Sequence, residues 1–247
     1  LLIENANPYS RLSLPWSGKE RIRLRILRWL SYLSARRAKA IRFVSYNSQK
    51  LIVDKLGIRQ KKSQVIPHGV VIADFNSATD KFPQTSYGQP KKYLLTIGAN
   101  GPHRNLTRWL SAFSLLISNY GYEGNLVVLG NCGTNSHARI LKQITRALGL
   151  NDRVYYLGEV SQTILVAYLK NAAILVFPSV EETFGLPLLE AMACGTPVAV
   201  ADCDLDENNR GRCFNPFPEI CDEAAAYFNP FVVESMAQSI ARVLEDN

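Results

Sequence analysis

Long apolar runs, clustered metal ligands and paired cysteines are what this sequence has least of. No run of about eighteen apolar residues occurs, so no membrane-spanning helix is expected. No basic stretch, apolar stretch and small-residue cleavage site line up as a secretory leader. Its three histidines, His68, His103 and His137, are scattered without a ligand spacing, so neither a metal site nor a cofactor is expected. The five cysteines (Cys132, Cys194, Cys203, Cys213 and Cys221) are odd in number and include no C-x-x-C, which favours a reduced, cytoplasmic protein. The chain opens on Leu1, and it is expected to be a piece of a longer one.

What is present is an ordinary globular composition with an uneven charge. The net charge is +7 over 247 residues. Residues 1–62 hold 15 Lys and Arg against 3 Asp and Glu, and the remainder is net acidic. The basicity therefore belongs to one end, and with no recognition motif beside it nucleic-acid binding is not expected.

The hydrophobic pattern divides the chain. In residues 1–75, "LLIEN", "AIRFVS" and "SQVIP" read as strands. "KERIRLRILRWLSYLSARRAKA" reads as a helix whose stripe Ile22, Ile26, Trp29, Leu30 and Leu33 packs inward, leaving arginines outside. "SQKLIVDKLG" reads as a short helix closed by Gly57. Residues 76–91, polar and carrying Pro83, Gly88 and Pro90, read as a linker. From 92 to 247, apolar strands ("KYLLTIG", "NLVVLG", "RVYYLG", "AILVFPS", "TPVAVA") alternate with amphipathic helices. That alternation predicts an α/β unit with a parallel sheet covered on both faces.

Ligands of such sheets bind beyond the carboxyl ends of the strands. There "AILVFPS" runs into "EETFGLPLLEAMACGTP", with Glu182 and Glu190 eight positions apart around Gly185 and Pro187. Pro187 suits the first turn of a helix, and Gly185 lets backbone approach a ligand. The N–H groups near Phe184, Gly185 and Leu186 then make an anion site suited to a diphosphate. The helix field contributes only roughly 0.3–1 kcal/mol there, so a second cation is expected. Glu182, in the loop, can meet hydroxyls of a group attached to the phosphate. Glu190, one turn into the helix, can accept from a vicinal diol such as ribose.

The stretch "FPSVEETFGLPLLEAMACGTPVAV" resembles the E-x7-E signature of retaining glycosyltransferases with the GT-B fold, group 1 or family 4. "YLLTIGANGPHRNL", "RVYYLGEVS" and "PEICDEAAAYFNPF" resemble further segments of that family. The resemblance implies a Rossmann-like C-terminal donor domain over 92–247, joined by the linker to the tail of a Rossmann-like N-terminal, acceptor-side domain over 1–75. It implies a nucleoside-diphosphate sugar donor, such as a UDP sugar or GDP-mannose. Glu182, the catalytic residue of the resemblance, would contact the donor sugar, Glu190 the ribose, and Thr183, Phe184, Gly185 and Leu186 the diphosphate and sugar. Arg104, after the strand that ends at Gly98, stands where the family has lysine and supplies the second cation. His103 and Ala99 stand where the family has phosphate-binding side chains, and neither is assigned that role. Gly158 and Val160 would line the base pocket through backbone groups.

The implied reaction moves a hexose, with retention and without metal, to a glycan or lipid-linked acceptor in bacterial surface polysaccharide synthesis. Most of the N-terminal domain is missing from the resemblance, so this chain is expected to bind donor and to transfer sugar poorly by itself. The alternatives are a non-catalytic sugar-nucleotide-binding fragment and, less in keeping with the E-x7-E stretch, a sugar-nucleotide epimerase. Helix 19–42 offers either a solvated basic face or a peripheral contact with anionic lipid at the inner membrane face.

Overall fold

The computed structural model describes residues 1–3, 7–9, 12, 14–72, 75, 92–98, 101–131, 136–205 and 213–246. The expected linker 76–91, Ala99 and Cys132 lie outside the described residues.

The N-terminal part contains helix α1 (Gly18–Arg37), strand β1 (Ile41–Phe43), helix α2 (Tyr46–Leu56) and strand β2 (Ser63–Val65). β1 and β2 pair in parallel, and Leu2 forms a parallel bridge to Arg42 on the other side of β1. "LLIEN" is thus reduced to a single bridge among its described residues. Tyr9, Ala35, Ile41, Phe43 and Ile52 make a small core of their own. Gly57 closes α2 in the left-handed conformation, as its sequence position indicates.

Helix α1 corrects the sequence reading. Four of the five residues of the stripe expected to pack inward are outside: Ile22, Ile26, Trp29 and Leu30 are 59%, 53%, 60% and 46% exposed, and Leu33 is half-buried. Ala35 is buried, and Leu24, Leu27 and Ser31, on the same face, are half-buried. The sequence holds two apolar stripes on opposite faces, and the larger side chains belong to the exposed one. Arg21, Arg23, Arg25, Arg28, Arg36 and Arg37 are exposed around it.

The C-terminal part is the expected α/β unit, with strands β3 (Tyr93–Ile97), β4 (Asn125–Leu129), β5 (Val154–Gly158), β6 (Ile174–Phe177), β7 (Val198–Ala201) and β8 (Ala225–Phe228). Helices α3 (Leu106–Tyr120), α4 (Ser136–Ala147), α5 (Gln162–Asn171), α6 (Leu186–Ala193), α7 (Phe217–Cys221) and α8 (Val233–Glu245) connect or follow them. The sheet order is β5-β4-β3-β6-β7-β8, and every neighbouring pair is parallel. α3 packs with α4 and α8, and α5 with α6, so both sheet faces are covered. β6 and β7 are buried at every position, which explains their unbroken apolar sequences. β8 was not read as a strand: "AAYF" is short, lies at the sheet edge and is half-buried at every position but Phe228.

The order reverses between β3 and β6, the one place in a doubly wound sheet where helices leave to opposite sides and a crevice opens. β3 and β6 stay in register only at Leu94↔Ile174 and Leu95↔Leu175. Just beyond, Thr96 bridges the parting strands. Its hydroxyl donates to Val176 O at 3.1 Å and accepts from Trp109 Nε1 at 2.9 Å.

A second correction concerns the cysteines. Cys203, after β7, and Cys213 form a disulfide with Cα atoms 5.4 Å apart, inside the usual disulfide range. The expectation of a reduced chain fails for this pair. Phe214 N donates to Val180 O and Phe214 O accepts from Glu182 N, and this pairing brings Cys213 back beside β7. Cys194 and Cys221 are free.

Candidate functional site

Two loops meet over the crevice, one after β3 and one after β6. Val180 N donates to His103 O at 2.9 Å and ties them together. Gly98 ends the first strand with φ +88, a conformation that suits glycine. A Cβ there would lie 3.2 Å from Arg104 Nε and 3.3 Å from Cζ, so the missing side chain is what lets the guanidinium lie against the backbone. Arg104, in the 3-10 turn Pro102–Arg104, extends Nη1 to Ser179 Oγ at 3.3 Å and sits 5.7 Å from the Phe177 ring centre. The same nitrogen donates to Glu182 Oε1 in an ion pair whose side chains are only 25% and 15% exposed. Burial draws the Arg104 pKa down to about 10, which leaves it a cation at neutral pH. Two of the three charged residues singled out by the sequence, Arg104 and Glu182, are thus in direct contact.

His103 is a different matter. It is 8% exposed and stacks on Trp16 with ring centres 5.4 Å apart. Burial first, then the Arg104 cation and His137, pull its pKa down to about 3. A neutral imidazole at physiological pH supplies no positive charge to an anion, in keeping with its being given no phosphate-binding role.

Gly185 caps α6 at φ +109, and a Cβ there would approach Phe217 Cε1 to 3.1 Å and Leu188 Cδ1 to 3.2 Å. Pro187 lies in the first turn, where backbone N–H groups have no intrahelical partner. Thr183 and Phe184 are buried and Leu186 is exposed. Glu190, half-buried on α6, accepts from Gln162 Nε2 at 3.4 Å. Gln162 opens α5 just after Gly158 and Val160, so the residues assigned to ribose and base come from adjoining segments. Gly158, at φ +73, accepts from Gly130 N at 2.7 Å through its carbonyl, and Val160 packs half-buried against the core.

Several contributors escaped the sequence reading. Ser179, the last residue of "AILVFPS", accepts from Arg104. Ser45 Oγ donates to Thr183 O at 2.7 Å, linking the N-terminal part to the β6–α6 loop. Glu219 accepts from Tyr46 N and Asn47 N at 2.8 and 2.9 Å at the start of α2. His68 meets the Phe184 ring edge-on at 5.1 Å. The signal for Ser45 was the capping pattern of "SYNS", which announces a helix start but not a partner 138 residues away. Asp202-Cys203-Asp204 has the form of a D-x-D motif. Asp202 Oδ1 accepts from Asp204 N at 2.9 Å in a local turn, and no group of three or more metal-ligating side chains gathers among the described residues.

The family model described as "Glycosyl transferases group 1" matches residues 77–206. The chain belongs to this family. Among curated relatives, the O-antigen chain mannosyltransferase RfbU of Salmonella typhimurium is 31% identical over 216 residues, 87% of this chain and 54% of that protein. The O-antigen chain mannosyltransferase B of Escherichia coli is 27% identical over 211 residues, 85% of this chain and 50% of its own length. The chain thus spans about half the length of these relatives. The solved sucrose-phosphate synthase of Thermosynechococcus elongatus superposes with a TM-score of 0.70 at 19% identity, covering 96% of this chain and 55% of that one. Anabaena HepE, solved in complex with UDP and glucose, gives 0.67 at 19% identity over 93% and 60%. The group 1 glycosyltransferase fold here is therefore the α/β, GT-B type, with its parallel sheet intact.

Proposed function

We propose that this chain is the donor-binding part of a retaining hexosyltransferase. It takes a nucleoside-diphosphate sugar, and the whole protein passes the sugar to a glycan or lipid-linked acceptor in bacterial surface polysaccharide assembly. The mannosyltransferase relatives favour a mannosyl donor such as GDP-mannose. The observation that carries the reading is the convergence of Arg104, Ser179, Glu182 and the first turn of α6 at the β3–β6 switch point.

Chemically, the bond from the sugar anomeric carbon to the diphosphate oxygen breaks, and a bond to the acceptor oxygen forms on the same face. The acceptor proton passes to the departing phosphate oxygen. Arg104 and the α6 N–H groups stabilise the negative charge that develops there, a role fixed dipoles and cations fill without reorganisation. Glu182 meets the sugar and Glu190 the ribose. Gly158 and Val160 border the base, which is held through backbone. The domain limits follow the same reading: 1–75 for the acceptor side, 76–91 for the linker and 92–247 for the donor side.

The acceptor reading extends to α1. Its exposed Ile22, Ile26, Trp29 and Leu30 among arginines suit the surface of an anionic bilayer, where a lipid-linked acceptor would lie.

Calorimetry with UDP, GDP and their sugar conjugates in chelator tests the reading. Micromolar to millimolar binding of one nucleotide without divalent metal is expected, and binding that appears only with Mg²⁺ or Mn²⁺ would overturn metal independence. For the whole protein, product analysis should find the anomeric configuration of the donor kept.

A further inference from the structure

Arg104 and Glu182 carry opposite charges in the candidate site, and they are spent on each other. The reading above gives each its own partner, the diphosphate for Arg104 and the sugar for Glu182. While the pair stands, Arg104 Nη1 and Glu182 Oε1 are taken up by each other and are not open to those partners. Arg104 Nη1 is shared by Ser179 Oγ and Glu182 Oε1, and Nε and Cζ face the bare backbone of Gly98. A phosphate approaching the edge that faces the β6 loop meets a carboxylate of its own sign.

We propose that Glu182 is a built-in stand-in for the donor's phosphate: its carboxylate holds the Arg104 guanidinium while no donor is bound, and the arriving diphosphate displaces it toward the sugar. This rests on the donor-site reading. The geometry says which partner moves. Arg104 is clamped by the Gly98 backbone, Ser179 and the face of Phe177. Among the described residues, Glu182 is tied at its backbone, where its N–H donates to Phe214 O at 2.8 Å, and its carboxylate meets Arg104. Its side chain can leave by rotamer changes alone, without movement of the loop. No proton or covalent bond is exchanged.

Two consequences follow. A half-buried guanidinium without a partner would be costly, and the stand-in keeps it in place between turnovers. The exchange also sets donor against product. An intact donor offers the displaced carboxylate the hydroxyls of its sugar, whereas a nucleoside diphosphate without sugar leaves it with nothing. The pair therefore weakens the hold on the spent nucleotide relative to the donor, which favours product release.

The test is calorimetry on the 247-residue chain with UDP, GDP, UDP-glucose and GDP-mannose, in wild type, Glu182→Gln, Arg104→Ala and the double variant. Thermal melting checks folding, and Glu182→Ala serves as a second removal of the charge. Glu182→Gln should bind the preferred nucleoside diphosphate about threefold tighter or more, in line with the loss of a partly exposed ion pair. It should gain nothing on the sugar-bearing donor, and the nucleotide gain should vanish in the Arg104→Ala background. If both Glu182 variants bind nucleoside diphosphate as wild type does, or more weakly, while Arg104→Ala still weakens it, the stand-in is refuted and the donor site survives. If Arg104→Ala changes nothing, the donor-site reading falls and the stand-in with it.

Discussion

Ser45 donates its hydroxyl hydrogen to the carbonyl of Thr183 across 138 residues of sequence. The same oxygen accepts from Ser48 N as the N-cap of α2, so one fully buried atom both starts a helix of the N-terminal part and fixes the loop that carries Glu182. Ser45→Ala should cost about 1–3 kcal/mol of stability, because it strips a cap and removes a buried hydrogen bond. It should also weaken nucleoside-diphosphate binding. Denaturant unfolding and calorimetry on one variant read both, and an unchanged unfolding midpoint would show that the contact contributes nothing.

Gly98→Ala is expected to damage the site more than its size suggests. The backbone there is in the left-handed region, at a cost of about 1–2 kcal/mol for an added side chain. The new methyl would also press on the Arg104 guanidinium. Nucleotide affinity should fall about tenfold, as for loss of a charge-assisted contact. Gly57→Ala, also in the left-handed region but with open space around it, is the control: it should lose stability and keep affinity.

The pH dependence of stability has a definite sign at His103. Its folded pKa lies near 3, below the ordinary 6.5 of an unfolded chain. The unfolded state therefore takes up a proton first, and the contribution present above about pH 6.5 is lost as pH falls toward 3. His103→Gln should flatten that part of the melting-temperature profile between pH 6.5 and 4. A variant profile as steep as the wild type would place the titration elsewhere, His137 being the next candidate because burial lowers it too.

For α1, sedimentation with vesicles separates a solvated face from a lipid-facing one. Binding to phosphatidylglycerol vesicles should exceed binding to phosphatidylcholine and weaken with salt, at roughly 1 kcal/mol per cation near the surface. Ile26→Asp with Leu30→Asp should remove it without altering the fold, since both side chains are exposed. Equal binding to neutral vesicles, or none at all, would return α1 to a solvated role.

β6 and β7 were legible because a strand buried on both faces has to be apolar throughout, and "ILVF" and "VAVA" satisfy nothing else as well. Gly185 and Pro187 were legible because a left-handed turn into a helix start admits few residues. What stayed hidden depends on partners distant in sequence. Nothing local says which of two stripes on α1 faces inward, or that Ser45 points at Thr183. The Cys203–Cys213 disulfide depends on Phe214 folding back onto Val180. Sequence also gave Arg104 and Glu182 a shared site without revealing that they would touch.

The reversal of sheet order between β3 and β6 has a meaning for the chain as it is synthesised. β3, β4 and β5 can associate as soon as they emerge, but β6, the other neighbour of β3, follows only after β5 and α5. Arg104 and Glu182 are separated by 78 residues. At 5–20 residues per second that interval is about 4–16 s, during which the inner edge of β3 has no neighbour. The candidate site is therefore among the last features to close, and a nascent chain halted before β6 would hold three of the six strands and neither the β6–α6 loop nor Glu182.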